Sequence, residues 1–188
     1  MELAGQRALV TGGTAGIGLA SAWLLAEGGA AVVITGRNAE RGRAAADQLG
    51  AQFVQADIGT PSGVDQLVQT MAEVDILVNN AAYFPAALTV EQEPNSFDET
   101  FGTNVRGLYF LTAGIARGML GRGRGSIVNI TTMVATKGVA RASAYSASKA
   151  AVESADPYLG RGIRRGGGPG EQCGTGTHEN RRGAGGVG

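Results

Sequence analysis

Short apolar runs alternate with helical patterns along residues 1–154, and this alternation constrains the fold more than any other feature. "RALVT" (7–11) reads as a buried strand and "GIGLASAWLLAEG" (16–28) as a helix closed by glycine. "AAVVIT" (30–35) predicts a second strand, "NAERGRAAADQLG" (38–50) a helix ending at Gly50, and "AQFVQAD" (51–57) a third strand. Thr60 and Pro61 then cap and open a helix over 60–74, since proline suits the first helical position. "DILVNNA" (75–81) predicts strand four, a long helix spans about 96–120, and "GSIVNIT" (125–131) predicts strand five. A helical crossover returns the chain to the same end of a sheet, so these strands run parallel. Strands this apolar are buried on both faces. The expected fold class is a doubly wound α/β parallel sheet.

Residues 155–188 break the pattern. They hold 12 of the chain's 32 glycines together with Arg161, Arg164, Arg165, Arg181 and Arg182, and hardly any aliphatic side chains. Such a segment cannot offset its ordering entropy by burial. The chain is therefore expected to divide into a globular unit, 1–154, and a disordered Gly/Arg-rich tail, 155–188, with the last helix stopping near Ser154 ahead of Pro157.

Composition excludes several classes. The formal net charge is zero, which offers no general attraction to nucleic acid or to anionic membrane. No basic and apolar leader opens the chain, and no run reaches the roughly 18 apolar residues of a membrane span. A single cysteine, Cys173, precludes an internal disulfide and fits a reducing, cytoplasmic setting. Cys173 and the sole histidine, His178, do not close a tetrahedral shell, so no metal is expected. RNA binding through the Gly/Arg tail lacks the interleaved aromatics such segments use.

The turn between the first strand and helix reads "TGGTAGIG", with Gly12, Gly16 and Gly18. Glycine lets backbone approach a pyrophosphate closely, and a helix N-terminus offers free N–H groups and a positive dipole end. The strand–turn–helix setting at the start of a βαβ unit is what a nucleotide site requires. Arg37 follows strand two, where Asp or Glu would accept from a free ribose 2′-OH; no acid occupies 34–37, and arginine suits a 2′-phosphate. The alternative is a solvated loop arginine. Tyr145 and Lys149 are four apart and share a helix face.

The spacing G-x-x-x-G-x-G, "NNAA" at 79–82 and "YSASK" at 145–149 together make residues 5 to about 154 similar to the short-chain dehydrogenase/reductase family. The resemblance implies a Rossmann-like fold and an oxidoreductase interconverting a secondary alcohol and a ketone. NADP(H) is favoured, with NAD(H) as the alternative, and a small carbonyl or alcohol compound is the substrate. It assigns Gly12, Thr14, Gly16, Ile17 and Gly18 to the cofactor's phosphates and Asp57 with Ile58 to adenine, although Asp57 equally suits a cap before Thr60. Asn79 and Ala81 belong to the strand-four end of the cofactor site, where the Asn79 amide ties neighbouring strands and the cofactor loop together and Ala82 replaces the family's usual glycine.

Tyr145 is assigned proton exchange, its phenol lowered by the Lys149 ammonium and by oxidised nicotinamide; Lys149 also reaches the nicotinamide ribose. Asn104 is assigned to a kink holding a water in the proton path, with a surface role as the alternative. The family's serine, thirteen residues before the tyrosine, falls on Thr132, whose extra methyl restricts χ1. Ser143, nearer in sequence, is expected to cap the catalytic helix. The intact family fold implies a homodimer or homotetramer.

Family members continue past this helix with a sixth strand and a Pro-Gly turn that residues 155–188 do not show. Read one base later, the codons beneath 155–164 permit L-T-R-T-W-A-A-E-F-G, and those beneath 168–180 permit V-R-V-N-S-V-A-P-G-P-T-R-T. The second string resembles that strand and turn. The tail is thus expected to be out-of-frame, and the chain as written truncated in its fold and inactive or nearly so. A 3-oxoacyl-carrier-protein reductase-like enzyme and a non-catalytic cofactor-binding remnant are the competing functions.

Overall fold

A computed structural model of the chain describes residues 2–71 and 73–162, and it is built around one parallel sheet in the order β3-β2-β1-β4-β5. The strands are β1 (Arg7–Thr11), β2 (Ala31–Gly36), β3 (Gln52–Gln55), β4 (Ile76–Asn79) and β5 (Ser126–Asn129). Leu9 pairs with Val33 on one side and with Leu77 on the other, so β1 is central. The winding direction reverses between β1 and β4, which opens a crevice at their C-terminal ends.

Successive residues of each strand face opposite layers, as the pleat demands. Leu9, Val33, Leu77 and Ile127 pack with α3 (Pro61–Thr70) and α5 (Leu108–Arg122) through Leu67, Leu111 and Ile115. Ala8, Val10, Ile34 and Val78 face the other way, onto α1 (Gly16–Glu27) and α2 (Ala39–Leu49) through Ala22, Ala45 and Leu49. The outer strand β3 is only partly buried, whereas β4 is buried throughout. The doubly wound parallel α/β fold expected from the strand–helix alternation is the fold observed.

Local signals set the boundaries. Asn38 caps α2 by accepting from the Arg41 N–H, and Gly50 closes it in the left-handed conformation that glycine adopts without penalty. Thr60 caps α3 by accepting from the Gly63 N–H. The long helix expected over 96–120 is not one uniform helix. It comprises α4 (Pro94–Phe101), a π-helical turn (Gly102–Gly107) and α5. Such a turn admits an extra residue per bonded ring and re-aims the side chains it carries.

The last helix, α6 (Ser143–Gly162), also departs from expectation, continuing past Ser154 and through Pro157. Proline deletes one ladder hydrogen bond, at a cost of about 3 kcal/mol in a helix interior. Two anchors lie just before it: Val152 is buried, and the Asp156 carboxylate accepts from Asn129 Nδ2 at 2.5 Å. Ser143 is the first residue of α6, not its cap; its Oγ accepts from Thr89 Oγ1 at 3.1 Å. Residues 155–162, expected to open a disordered tail, are helical; the rest of that tail, 163–188, with its displaced reading frame and the metal question at Cys173 and His178, lies outside the described residues. Among the described residues no helix is long and apolar enough to cross a membrane.

Leu77, fully buried on the central sheet, should be sensitive to truncation. Leu77→Ala is expected to lose about 2–5 kcal/mol of unfolding free energy in a urea titration. Leu24→Ala, at a position 69% exposed, should stay within about 0.5 kcal/mol of the parent.

Candidate active site

The crevice holds a cavity of about 300 Å³ at the C-terminal ends of β1, β2 and β4. Its wall includes Gly12, Thr14, Arg37, Asp57, Ile58 and Ala81 of the sequence-derived set, together with Asn80, Arg41 and Thr103. Gly16, Ile17 and Gly18 form the first turn of α1 beside it; Ile17 is exposed. Ala15, in the cap position, supplies no side-chain acceptor, so the first-turn N–H groups remain available to an anion.

The turn is shaped by two close approaches. Gly12 has φ 63°, and a Cβ there would lie 2.9 Å from Ala81 Cα. A Cβ on Gly18 would lie 2.4 Å from Asn80 Nδ2 and 2.5 Å from the Gly12 carbonyl oxygen. Asn80 causes this crowding by reaching across the sheet. Its Nδ2 donates to the carbonyls of Thr11 and Gly12 at 3.0 and 3.1 Å, while the Asn80 and Ala81 N–H groups donate to Thr11 Oγ1. Sequence reasoning gave the tie between strands and glycine turn to Asn79. The structure divides that role. Asn79 Nδ2 donates to Thr112 Oγ1 and Asn129 Oδ1, joining β4, β5 and α5, while Asn80 reaches the carbonyls of the glycine turn. The only forewarning of Asn80 was its place beside Asn79 in "NNAA".

The far rim is basic. Arg37, exposed, pairs through Nη1 with Glu99 Oε1 of α4 at 3.0 Å. Arg41, which the sequence reading did not single out, points its Nε at Thr14 Oγ1 at 3.3 Å. Its signal was spacing: it follows the cap Asn38 by three residues, so the first turn of α2 turns it back over β2. Asp57 lines the cavity, and its Oδ1 also accepts from the Gly59 N–H at 2.8 Å. The two roles left open for it are therefore compatible.

Asn104, Tyr145 and Lys149 sit apart from this wall, where α6 meets the π turn, and Thr132 follows β5 at the start of a short 3₁₀ turn packed on α6. Asn104 is fully buried and has its amide committed on both ends. Its Oδ1 accepts from the Tyr83 N–H at 2.8 Å, and its Nδ2 donates to the Tyr83 carbonyl and to Ser148 Oγ. Ser148 Oγ in turn donates to the Tyr145 carbonyl at 2.7 Å. Thr132 caps a short 3₁₀ turn (Met133–Ala135) by accepting from the Val134 N–H; its own hydroxyl proton remains to donate.

Lys149 Nζ donates to the Ile130 carbonyl at 2.8 Å and lies 5.9 Å from the Tyr145 ring centroid. In the cofactor-free chain burial, rather than this charge, sets the direction of both shifts. Burial raises the Tyr145 phenol above its ordinary value, and burial lowers the Lys149 amine. The reason is geometric: the ammonium is engaged by a carbonyl and set toward the ring, so desolvation of the phenolate dominates.

The residues present fit a dinucleotide. The turn is a cradle that a single Cβ would fill, an uncapped helix start faces it, and two guanidinium groups stand at the rim.

The family model for short chain dehydrogenase matches residues 6–161. Sorbitol dehydrogenase of Cereibacter sphaeroides is 37% identical over 172 residues, covering 88% of this chain and 67% of that protein. The 3-oxoacyl-acyl-carrier-protein reductase FabG of Chlamydia pneumoniae is 35% identical, covering 81% and 65%. The chain thus spans about two thirds of the length of these curated relatives. A solved short chain dehydrogenase/reductase family protein superposes with a TM-score of 0.85 at 54% identity, covering 87% and 70%. A metagenomic short-chain oxidoreductase, solved in complex with NADP, gives 0.82 at 29% identity, covering 87% and 78%.

The raised phenol sets a pH expectation. Stability contributed by the neutral phenol is present below the ordinary value near about 10 and is lost as pH rises through the raised one. Difference absorbance of parent against Tyr145→Phe should show this phenol ionising above pH of about 10 in the cofactor-free protein. A midpoint below that value would contradict the desolvation account.

Proposed function

The chain belongs to the short chain dehydrogenase family, and on that footing we propose that its site serves an NADP(H)-dependent oxidoreductase interconverting a secondary alcohol and a ketone. The observation that carries the reading is the pairing of a glycine cradle at the start of α1 with two arginines, Arg37 and Arg41, across one cavity. Gly12 and Gly18 let the turn approach a pyrophosphate, and the N–H groups opening α1 hold its charge. Arg37 and Arg41 meet a ribose 2′-phosphate with fixed guanidinium forks. Glu99 competes for Arg37, so the phosphate must displace or share that contact. Support for NADP(H) also comes from the metagenomic relative solved with it.

A nicotinamide cofactor held by the glycine turn, Arg37 and Arg41 would supply or accept the hydride. The chain's own residues manage the proton and the oxygen. Tyr145 gives its phenolic proton to the substrate oxygen in reduction and takes it back in oxidation. Thr132, its oxygen already accepting from the Val134 N–H, donates its hydroxyl proton to the same substrate oxygen and polarises the carbonyl. Lys149 holds its amine beside the ring, and Asn104 and Ser148 hold the backbone of α6 in register with the β4–α4 loop. A reductase acting on carrier-bound 3-oxoacyl groups would use the same residues; the likeness to the Chlamydia pneumoniae enzyme favours it as a second reading.

NADPH should bind about tenfold more tightly than NADH, a difference of about 1.4 kcal/mol, and Arg37→Ala combined with Arg41→Ala should abolish the difference in a fluorescence titration. Equal affinities in the parent would refute the cofactor assignment. With the reading frame restored after Ser154, Tyr145→Phe should lower ketone-dependent NADPH oxidation by at least about a hundredfold while leaving NADPH affinity within about twofold, because only the proton donor is removed. Intact NADPH binding without turnover in the parent would instead identify a cofactor-binding protein that does not catalyse.

A further inference from the structure

We propose that Phe84 is a specificity-determining residue, its ring forming an apolar wall beside Tyr145 that selects substrates carrying an apolar group next to the reacting carbon. This rests on the oxidoreductase reading above and extends it to the class of substrate. The ring centroids of Phe84 and Tyr145 are 4.5 Å apart with planes inclined at 41°, a tilted contact within the favourable range for aromatic pairs. Phe84 is nevertheless 54% exposed. One part of the ring packs on the proton-exchanging side chain and the rest faces outward at the same place.

The placement is held from several directions. Tyr83, the preceding residue, has both its N–H and its carbonyl bonded to the buried Asn104 amide. The same amide reaches Ser148, whose hydroxyl bonds the Tyr145 carbonyl. One side chain in the π turn thus sets the register of both rings. Beyond Phe84, the Ala87 N–H donates to the Arg141 carbonyl at 3.1 Å, and Thr89 Oγ1 donates to Ser143 Oγ. Arg141 takes φ 65°, a left-handed conformation that costs a non-glycine residue energy, while making this contact. The β4–α4 loop is therefore fastened on both sides of an exposed aromatic ring. Met133, next to Thr132, is likewise exposed and adds a second apolar group near the substrate-polarising hydroxyl.

Discrimination follows from solvation. An apolar substituent laid on the Phe84 ring removes apolar area from water on both partners. A hydroxylated substituent in the same place loses water without gaining a hydrogen-bond partner from the ring.

The test uses the full chain with two probe ketones, acetophenone and hydroxyacetone, and reads binding by ligand-observed NMR titration, which needs no turnover. Acetophenone should bind the parent, Phe84→Ala should weaken it by about tenfold, and Phe84→Leu, which keeps an apolar side chain, should stay within about threefold. Hydroxyacetone should be indifferent to Phe84→Ala. In parallel, the Tyr145 phenol should ionise at lower pH in Phe84→Ala than in the parent, since part of its desolvating cover is gone. Phe84→Gln keeps bulk but removes the apolar face, and it must lose acetophenone equally, which keeps the test decisive if the alanine variant folds poorly. Unchanged acetophenone binding in both variants, equal loss of both ketones, or no acetophenone binding by the parent would overturn the proposal. If binding depends on Phe84 and yet NADPH is not oxidised with either ketone, the oxidoreductase reading fails while the apolar wall stands.

Discussion

The hydrogen bonds between Thr11 and Asn80 are the constraint on which the rest of the site depends. Strands β1 and β4 pair through Leu9 and Leu77, but beyond that pairing the chain must leave the sheet in opposite winding directions. At the point of divergence Thr11 Oγ1 donates to the Val78 carbonyl and accepts from two N–H groups, while Asn80 Nδ2 bonds two carbonyls of the departing turn. Backbone groups that would otherwise lose water without a partner are satisfied there. The turn is thereby drawn so near β4 that positions 12 and 18 admit no side chain. The cavity, the uncapped start of α1 and the basic rim are consequences of that closeness.

A second fastening, at Asn104, ties the Tyr145–Lys149 half of the site to the same sheet. In a regular α-helix a buried asparagine would compete with the ladder; in a π turn its amide can face outward to a neighbouring loop and to α6 at once. The result is a continuous chain of contacts from β4 through Tyr83 to Tyr145. The Asn79–Asn129–Asp156 chain does the same at the other end, linking β4, β5 and the later part of α6. Both networks are largely buried, where an unpartnered amide would be expensive, so each restricts the alternatives open to the helices it joins.

The electrostatics divide by position. At the solvated rim Arg37 and Glu99 form an exposed pair of little consequence for stability, which leaves the guanidinium free to exchange partners for a phosphate. At the inner end Tyr145 and Lys149 are governed by burial: both are displaced toward their neutral forms. The phenol so held carries the proton that reduction needs, while its raised value makes it the weaker acid.

What the sequence determined by itself was the architecture, because hydrophobic periodicity and cap residues are local signals. The apolar runs at 7–11 and 75–79, Asn38 and Gly50 around α2, and Thr60 with Pro61 before α3 act within a few residues of themselves. The glycine spacing and the Tyr145–Lys149 pair could likewise be named from position. Their contacts could not. That Asn80 rather than Asn79 holds the turn, that Arg41 joins Arg37, and that Lys149 serves the Ile130 carbonyl depend on residues 19 to 69 positions away. The sequence of the π turn at 102–107 suits plain helix equally, and Pro157 predicts a stop that α6 passes through. Tertiary structure decided these points because the energies involved, a few buried hydrogen bonds and the burial of Val152, arise only when distant elements meet.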